Sequence, residues 1–394
     1  MKEGWTYKKF SELCYSISDG DWIEKKDQSA TGIRLIQTGN IGVGKFIPKR
    51  DSSKFISSAT FERLRCTEIF EGDILISRLP QPLGRSCILP KMDTRCITAV
   101  DCSILKIKKD IVVPQYFLYY TQSQNYFSEI DKQSSGTTRA RITRKKLEET
   151  KIPLAPLSEQ QRIVAQLDEA FAEIDMIKAE AEKQLSEAKA LFQKALSQAM
   201  TPKEGWEKKK ISEVGDVIGG TTPSTSNPNF WNGDICWISP AELHGERYLY
   251  DSVKKITKEA VKAKSLKELP EGTVILSSRA PIGKVAINKV PMYCNQGFKC
   301  VICRKQLYNE FLYWWFYGNT DYLNSLGTGA TFSEISKTVV ENISIPLPPL
   351  SEQQRIVEEL DELSENVKEI EALNSKLTAE CDAMKQALLR QVFE

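Results

Sequence analysis

The feature that most constrains this 394-residue chain is that it repeats itself. Pro153-Leu-Ala-Pro-Leu-Ser-Glu-Gln-Gln-Arg-Ile-Val164 returns as Pro346-Leu-Pro-Pro-Leu-Ser-Glu-Gln-Gln-Arg-Ile-Val357, with eleven of twelve residues identical. Lys2-Glu-Gly-Trp5 with Phe10-Ser-Glu-Leu13 matches Lys203-Glu-Gly-Trp206 with Ile211-Ser-Glu-Val214, and Gly136-Thr-Thr138 with Ile142 answers Gly329-Ala-Thr331 with Ile335. A period near half the chain is far too long for a solenoid. It describes a duplicated two-part unit, with a module at 1–152, a helix at 153–200, a second module at 201–345 and a second helix at 346–394.

The helices are read from their start signals and their stripes. Ser158 stands three residues before Gln161, and Ser351 three before Gln354, each preceded by prolines, which is the pattern of a capping box. Beyond each cap a heptad stripe follows. In the first helix one seam position holds Leu167, Ile174, Ala181, Ala188 and Ala195, and the other Ala170, Ile177, Gln184 and Leu191. The second helix offers Leu360, Val367, Asn374, Cys381 and Leu388, with Leu363, Ile370, Leu377 and Met384. Small residues in one helix against larger ones in the other suit an antiparallel pair within one chain, with Asn374 as the polar residue that fixes register. Each helix is expected to run about 60 Å at the usual rise per residue, and Thr201-Pro202 ends the first.

The modules are different material. Short β-like runs (Ile74–Ser77, Ser103–Ile107, Val274–Ser277, Cys300–Cys303) alternate with turns rich in Gly, Pro, Ser and Asn. Gln115–Tyr120 and Glu310–Phe316 read as buried helices behind a sheet, so each module is α+β. The ten cysteines are read as free, buried thiols, and Cys300-Val-Ile-Cys303 as strand residues rather than metal ligands, since no second pair sits at zinc-ribbon spacing. With no run of about 18 apolar residues and no apolar leader core at the start, neither a membrane span nor secretion is expected, and the chain is placed in the cytoplasm.

Catalytic chemistry is poorly provided for. The single histidine, His244, excludes an HExxH zinc site and a Cys2His2 finger. Asn227-Pro-Asn-Phe230 approaches the loop used to methylate exocyclic amines, but asparagine replaces the second proline and no glycine-rich cofactor turn precedes it. Gly283-Lys284 lacks the rest of a phosphate-binding loop.

Charge points to a partner. The net charge is only +2, yet residues 1–152 carry +8 and 201–345 carry +3, while the helix segments carry −3 and −6. A polyanion would select the modules and avoid the helices. Side chains suited to base edges gather there. The first module offers Gln37, Asn40, Arg78, Arg85, Arg139 and Arg141; the second offers Trp237, Ser239, Arg279, Lys284, Asn295 and Gln296. Arginine pairs bidentately with guanine, and asparagine or glutamine with adenine. The chain reads as a DNA reader without chemistry of its own. An enzyme with intrinsic DNA methylation or cleavage activity, and a protein-binding scaffold that does not touch DNA, are the competing classes.

These motifs resemble the specificity (S) subunits of Type I restriction–modification systems. The resemblance lies in the duplicated P-L-x-P-L-S-E-Q-Q-R-I helix start, in Thr221-Thr-Pro-Ser-Thr-Ser with Phe230-Trp-Asn-Gly-Asp-Ile-Cys-Trp-Ile-Ser239, and in Ile36-Gln-Thr-Gly-Asn-Ile41. It covers the whole chain. It implies two target-recognition domains, each reading half of a bipartite double-stranded DNA target, separated by two long antiparallel helices in a pseudo-two-fold repeat. The helices would set the spacer and dock two methyltransferase subunits, through Ser158, Glu159, Gln160, Gln161 and Arg162 and through Ser351, Glu352, Gln353, Gln354 and Arg355. S-adenosylmethionine would come with those subunits, and ATP and Mg2+ with restriction/translocase subunits; this chain would bind no cofactor and no metal. The first module lacks the Thr-Pro-Ser…Trp-Asn-Gly-Asp signature and carries Asp19-Gly-Asp-Trp22 instead, which implies unlike half-sites and an asymmetric target.

Overall fold

The computed structural model describes residues 3–135, 140–279, 281–328 and 333–394. The chain is α+β and divides into two compact units, Met1–Ala181 with Ser375–Glu394, and Glu182–Asn374. The repeat in sequence runs module, helix, module, helix, whereas packing cuts through both long helices. The reason is burial: in each unit the adjoining stretches of both helices place apolar side chains in the same core as the module.

In the first unit a four-stranded antiparallel sheet runs Cys14–Asp19, Cys102–Ile107, Ile74–Ser77, Ser86–Ile88. A smaller five-stranded sheet is built on Ile33–Ile36, which pairs parallel with Cys96–Thr98 and antiparallel with Lys54–Ile56. Thr6–Lys9 pairs with Lys151–Leu154, so the opening of the module closes against the strand that leads into the first long helix. The second unit repeats the scheme. Gly215–Gly219, Phe298–Cys303, Val274–Ser277 and Val285–Asn288 form the main sheet with Tyr248–Leu249 added parallel at its edge, and Glu207–Lys210 pairs with Ser344–Leu347.

The expected strands and buried helices are present. Ile74–Ser77 and Val274–Ser277 are buried at every residue, as continuous apolar runs covered on both faces should be. Pro114–Tyr120 and Asn309–Gly318 are the helices behind the sheets. Tyr116 and Tyr120 meet Phe393 of the second long helix edge-on, with ring centroids 5.2 and 5.5 Å apart. All ten cysteines are free thiols, eight of them buried. Cys300 and Cys303 lie in one strand, and burial pushes the Cys303 thiol up to about 12.

The long helices span Leu157–Ala199 and Leu350–Phe393. Within each unit they run antiparallel: Asp175 pairs with Lys385 at 2.6 Å and Lys178 with Asp382 at 2.8 Å in the first, and Lys189 with Glu371 at 2.5 Å in the second. Two expectations are corrected. The helices begin at Leu157 and Leu350, so Ser158 and Ser351 lie inside the first turn and no capping box forms. The first intrahelical carbonyls are those of Pro156, accepting from Gln160 N–H at 2.9 Å, and of Pro349, accepting from Gln353 N–H at 3.0 Å.

The seam of the first helix is also displaced. Leu167, Ile174, Ala181, Ala188 and Ala195 face inward as expected, but Ile177, Gln184 and Leu191 are exposed. Phe171, Lys178, Leu185, Phe192 and Ala199, one residue further on, fill the second row. Phe171 packs edge-on against Tyr119 at 5.2 Å and Phe192 against Trp314 at 5.6 Å, so aromatic contact with the module decides which side of the helix turns in. In the second helix the first row is buried or half-buried throughout, whereas Leu363 and Met384 of the second row are exposed. Asn374 is half-buried on the seam, but its Oδ1 has no hydrogen-bond partner among the described residues. The polar pairs between the helices are the lysine–carboxylate bridges instead.

The displacement is testable. Phe192→Ala, which empties a buried aromatic site, is expected to cost about 3–5 kcal/mol. Leu191→Ala, at a position 67% exposed, should stay within about 0.5 kcal/mol. Urea denaturation of the two variants gives the comparison, and the reverse ranking would restore the seam read from sequence.

Candidate nucleic-acid interface

The main sheet of each module ends in a hairpin that begins with a buried serine, Ser77 or Ser277. The two hairpins are built alike. Gly84 N–H donates to Ser77 C=O and Gly283 N–H to Ser277 C=O, at 3.0 and 3.1 Å. A later segment docks on each: Ile142 N–H donates to Arg78 C=O and Ile335 N–H to Ser278 C=O. Gly84 and Gly283 hold φ of 82° and 94°, the left-handed region where a side chain is strained.

In the first module this end of the sheet gathers Arg78, Arg141, Asp19, Asp101 and Ser103. Arg78 is buried; one Nη donates to Val100 C=O and the other lies 3.5 Å from Asp19. Burial pulls the Arg78 guanidinium down and Asp19 opposes it. Arg141 is exposed and pairs with Asp101 at 3.0 Å. Gln37 is exposed at the mouth of the Thr38–Asn40 turn. Arg139 lies outside the described residues.

Two of the expected DNA-binding residues in this module have other work. Arg85 is buried, and its donors go to the carbonyls of Ile41, Leu79, Pro82 and Thr38 at 2.6–3.0 Å. Asn40 is buried, accepting from Gln37 N–H and donating to Ile47 C=O. Arg85 binds the turn to the hairpin, Asn40 closes the turn's own loop, and neither has an edge left for a base.

In the second module the corresponding end gathers Arg279, Gln296, Lys299, Ser278 and Glu334. Arg279 Nε donates to Glu334 Oε2 at 2.9 Å, and Lys299 Nζ reaches Glu334 Oε1 at 3.2 Å. Burial pushes the Glu334 carboxyl upward, and the bonds from Arg279 and Lys299 outweigh it, holding it below the usual carboxylate range. Gln296 is exposed and accepts from the Thr222 hydroxyl. Asn295 caps the neighbouring turn, its Oδ1 accepting from Gly297 N–H, and Ser239 is bonded to Glu242. Trp237 is not at the surface: its ring is buried against Trp231 at 5.1 Å and its indole N–H donates to Thr221 C=O. Lys284 turns away from this cluster to Leu243 C=O at 2.7 Å.

The sequence reading missed Asp19, Asp101, Lys299 and Glu334. Lys299 carried a signal, a lone charge inside the apolar run Phe298-Lys-Cys-Val-Ile-Cys303, and Glu334 occupies the repeat position of Arg141. Asp19 ends the strand Cys14–Asp19 and Asp101 lies in a turn, places where an aspartate is unremarkable by pattern alone.

The repeated helix starts separate into an inside and an outside. Gln160 is fully buried: its Oε1 accepts from Val113 N–H at 2.8 Å, and its Nε2 donates to the carbonyls of Ile111 and Ala155. Gln353 repeats this, accepting from Tyr308 N–H at 2.8 Å and donating to Gln306 and Pro348. These two glutamines, expected at a partner surface, are clamps within their own units. Ser158, Gln161, Ser351 and Gln354 are exposed. Arg162 binds Glu159 through Nε and Nη2, and Arg355 binds Glu352 in the same way, giving each unit a matching charged pair at its helix start.

Among the described residues no helix is long and apolar enough to cross a membrane. The family model for the Type I restriction modification DNA specificity domain matches residues 2–187 and again 203–379, one match per repeat, and the chain belongs to that family. The MjaIX specificity subunit of Methanocaldococcus jannaschii is 42% identical over 186 residues, which is 45% of this chain and 43% of that relative. The EcoR124I/EcoR124II specificity subunit of Escherichia coli is 35% identical over 217 residues, 53% of this chain and 52% of that one, so these two matches span about half of each relative. The MjaX specificity subunit, a putative one, is 23% identical over 91% of this chain and 87% of its own length. Among solved structures, a chain from a type I R-M system complex superposes with a TM-score of 0.82 at 22% identity, covering 100% of this chain and 98% of that one. The HsdS subunit of Thermoanaerobacter tengcongensis gives 0.58 at 20% identity, covering 100% and 97%. At these identities the structures speak for the fold.

Gln160→Ala strands a buried N–H and two carbonyls, at about 1–3 kcal/mol for each buried group left unpaired. Arg85→Ala should also destabilise, whereas Arg279→Ala removes an exposed ion pair worth about 0–1 kcal/mol. Thermal denaturation is expected to lower the midpoint clearly for the first two and barely for the third. An unchanged midpoint for Gln160→Ala would refute the clamp.

Proposed function

We propose that this chain is the DNA-reading subunit of a Type I restriction–modification complex, acting in the cytoplasm. Each module reads one half of a bipartite, asymmetric target in double-stranded DNA. The observation that carries the reading is the pair of unlike polar clusters at corresponding ends of the two main sheets, in a chain whose two halves both match the specificity-domain family. Arginine, glutamine and carboxylate groups there offer the donors and acceptors that major-groove base edges require, and the modules hold the chain's positive charge.

The chain itself is non-catalytic in this reading. Two modification subunits bring S-adenosylmethionine and methylate adenine; restriction/translocase subunits bring ATP and Mg2+ and cleave. The exposed pairs Glu159–Arg162 and Glu352–Arg355, with Ser158, Gln161, Ser351 and Gln354, form the docking surfaces. The long helices each contribute residues to both compact units, which supports a role in setting the unread spacer between the half-sites.

Binding of the full chain to duplex DNA should weaken steeply with salt, with log K falling linearly in log salt at a slope of about −0.9 per phosphate neutralised. Binding insensitive to salt would favour a protein scaffold. DNA labelled from S-adenosylmethionine by the purified chain alone would favour an enzyme. Charge reversal at Glu159 or Arg162 should leave the melting profile intact and impair assembly with modification subunits, read by size-exclusion chromatography.

The spacer role has its own test. Inserting one heptad in each long helix lengthens it by about 10 Å, equivalent to a few base pairs at about 3.4 Å each. Methylome sequencing is expected to show a changed spacer with both half-sites kept; an unchanged spacer would refute the helices as its ruler.

A further inference from the structure

We infer that Arg279 of the second module reads a guanine and that Glu334, anchored by the buried Lys299, is the positioning residue that aims it. The inference rests on the DNA-reading function proposed above and assigns it to particular atoms. Three segments meet here: the hairpin after Val274–Ser277, the strand Phe298–Cys303 and the segment that docks through Ile335.

Lys299 rises from the strand interior, with its side chain only 10% exposed. Its Nζ is held by Ser278 Oγ at 3.1 Å, Gln296 C=O at 3.3 Å and Glu334 Oε1 at 3.2 Å. An amine this deeply buried needs oxygen acceptors around it, and these three supply them. It therefore fixes one carboxylate oxygen of Glu334, and the second oxygen takes Arg279 through Nε at 2.9 Å. Holding a guanidinium by Nε leaves its Nη pair at the other edge, and neither Nη has a partner among the described residues. Arg279 is half-exposed, so that edge is open to solvent.

Two parallel N–H donors at a fixed spacing match the O6 and N7 acceptors of guanine in the major groove and no other base edge as well. A long arginine on a loop would otherwise sample many rotamers. The carboxylate removes that freedom before DNA arrives, so less entropy is lost on contact. The negative charge works against DNA binding in general, which gives the assignment a signature of its own: Glu334 should lower affinity for duplex while raising discrimination.

The first module lacks this device. Leu79 follows its hairpin serine at the place of Arg279, Ser103 stands opposite Ile76 as Lys299 stands opposite Leu276, and Arg141 takes the place of Glu334. The effect of changing the trio is therefore confined to one half-site.

The test is selection of bound sites from a randomised duplex pool by the full chain, with wild type, Arg279→Ala, Glu334→Ala and Glu334→Gln compared, together with affinity for an unrelated duplex. Wild type should require guanine at a position of one half-site. Arg279→Ala should lose that preference by about 10- to 100-fold, the range of one bidentate base contact, and leave the other half-site unchanged. Glu334→Ala should relax the same position while binding unrelated duplex more tightly; Glu334→Gln, which keeps an acceptor for Nε, should restore much of the preference. Melting curves within a degree or two of wild type would exclude loss of fold as the cause. Uniform weakening over all sequences by Arg279→Ala would make it a phosphate contact and overturn the assignment. An unchanged guanine preference in Glu334→Ala would overturn the positioning role. A wild-type chain that selects no sequence would instead refute the DNA-reading function itself.

Discussion

Two buried glutamines are the constraint on which the rest depends. Each module turns backbone groups of one loop toward the start of its long helix: Ile111 C=O and Val113 N–H in one, Gln306 C=O and Tyr308 N–H in the other. Away from water these groups must be paired. A glutamine amide carries an acceptor and two donors on one side chain. Gln160 and Gln353 use all of them, binding loop, preceding strand and helix in one place. A glutamate would lack the donors, and an apolar residue would satisfy neither group. This requirement explains why the longest identical stretch of the two halves falls at the helix start and not in the sheets.

Once the helix start is pinned, the buried module helices decide its rotation. Tyr119 donates to Asp168 at 2.5 Å in the first unit, and Trp314 donates to Asp361 at 2.7 Å in the second, at matching places in the repeat. Arg247 adds to the second tie by pairing with Glu310 and Asp361 beneath the rings of Tyr313 and Trp314. Burial alone would pull that guanidinium down; the bond to Asp361 and the charge of Glu310 hold it above its ordinary value. With Asp168 turned toward its module, Phe171 follows it inward one turn further on, Phe192 on the same helix meets Trp314, and the seam sits one residue from where a heptad count alone puts it.

The repeat, the paired helices, the α+β modules and four of the main strands were legible in the sequence because they rest on pattern: a duplicated motif, a heptad stripe and unbroken apolar runs. What was not legible depended on tertiary partners. Ser158 looks like a cap because serine three residues before glutamine usually is one, yet the prolines start the helix a residue earlier. Gln160 and Gln161 are indistinguishable as letters, and only the fold sends the first inside and the second out. Arg85 and Asn40 had the right chemistry for base edges, but their donors and acceptors were claimed by nearby carbonyls and a backbone N–H, a competition that composition does not reveal. Arg78 and Arg141 do meet at one end of the first main sheet, and Arg279 and Gln296 at the corresponding end of the second, whereas the carboxylates that hold the arginines escaped notice.

The division between what the two halves share and what they do not follows from where free energy resides. The clamps, the buried strands and the aromatic helices sit in the interior, where a lost hydrogen bond or an emptied site costs several times the thermal energy. Those parts recur in both units with the same geometry. The Arg141–Asp101 and Arg279–Glu334 pairs at the sheet ends are half-exposed and contribute about 0–1 kcal/mol each to folding, so their identity is almost free of structural constraint. Arg141 can stand where the other half has Glu334, and Leu79 where it has Arg279, while the backbone bonds beneath them stay the same. A scaffold of this kind separates the cost of folding from the choice of contacts: two equal frames can carry unlike surfaces, as the proposed reading of two different half-sites demands.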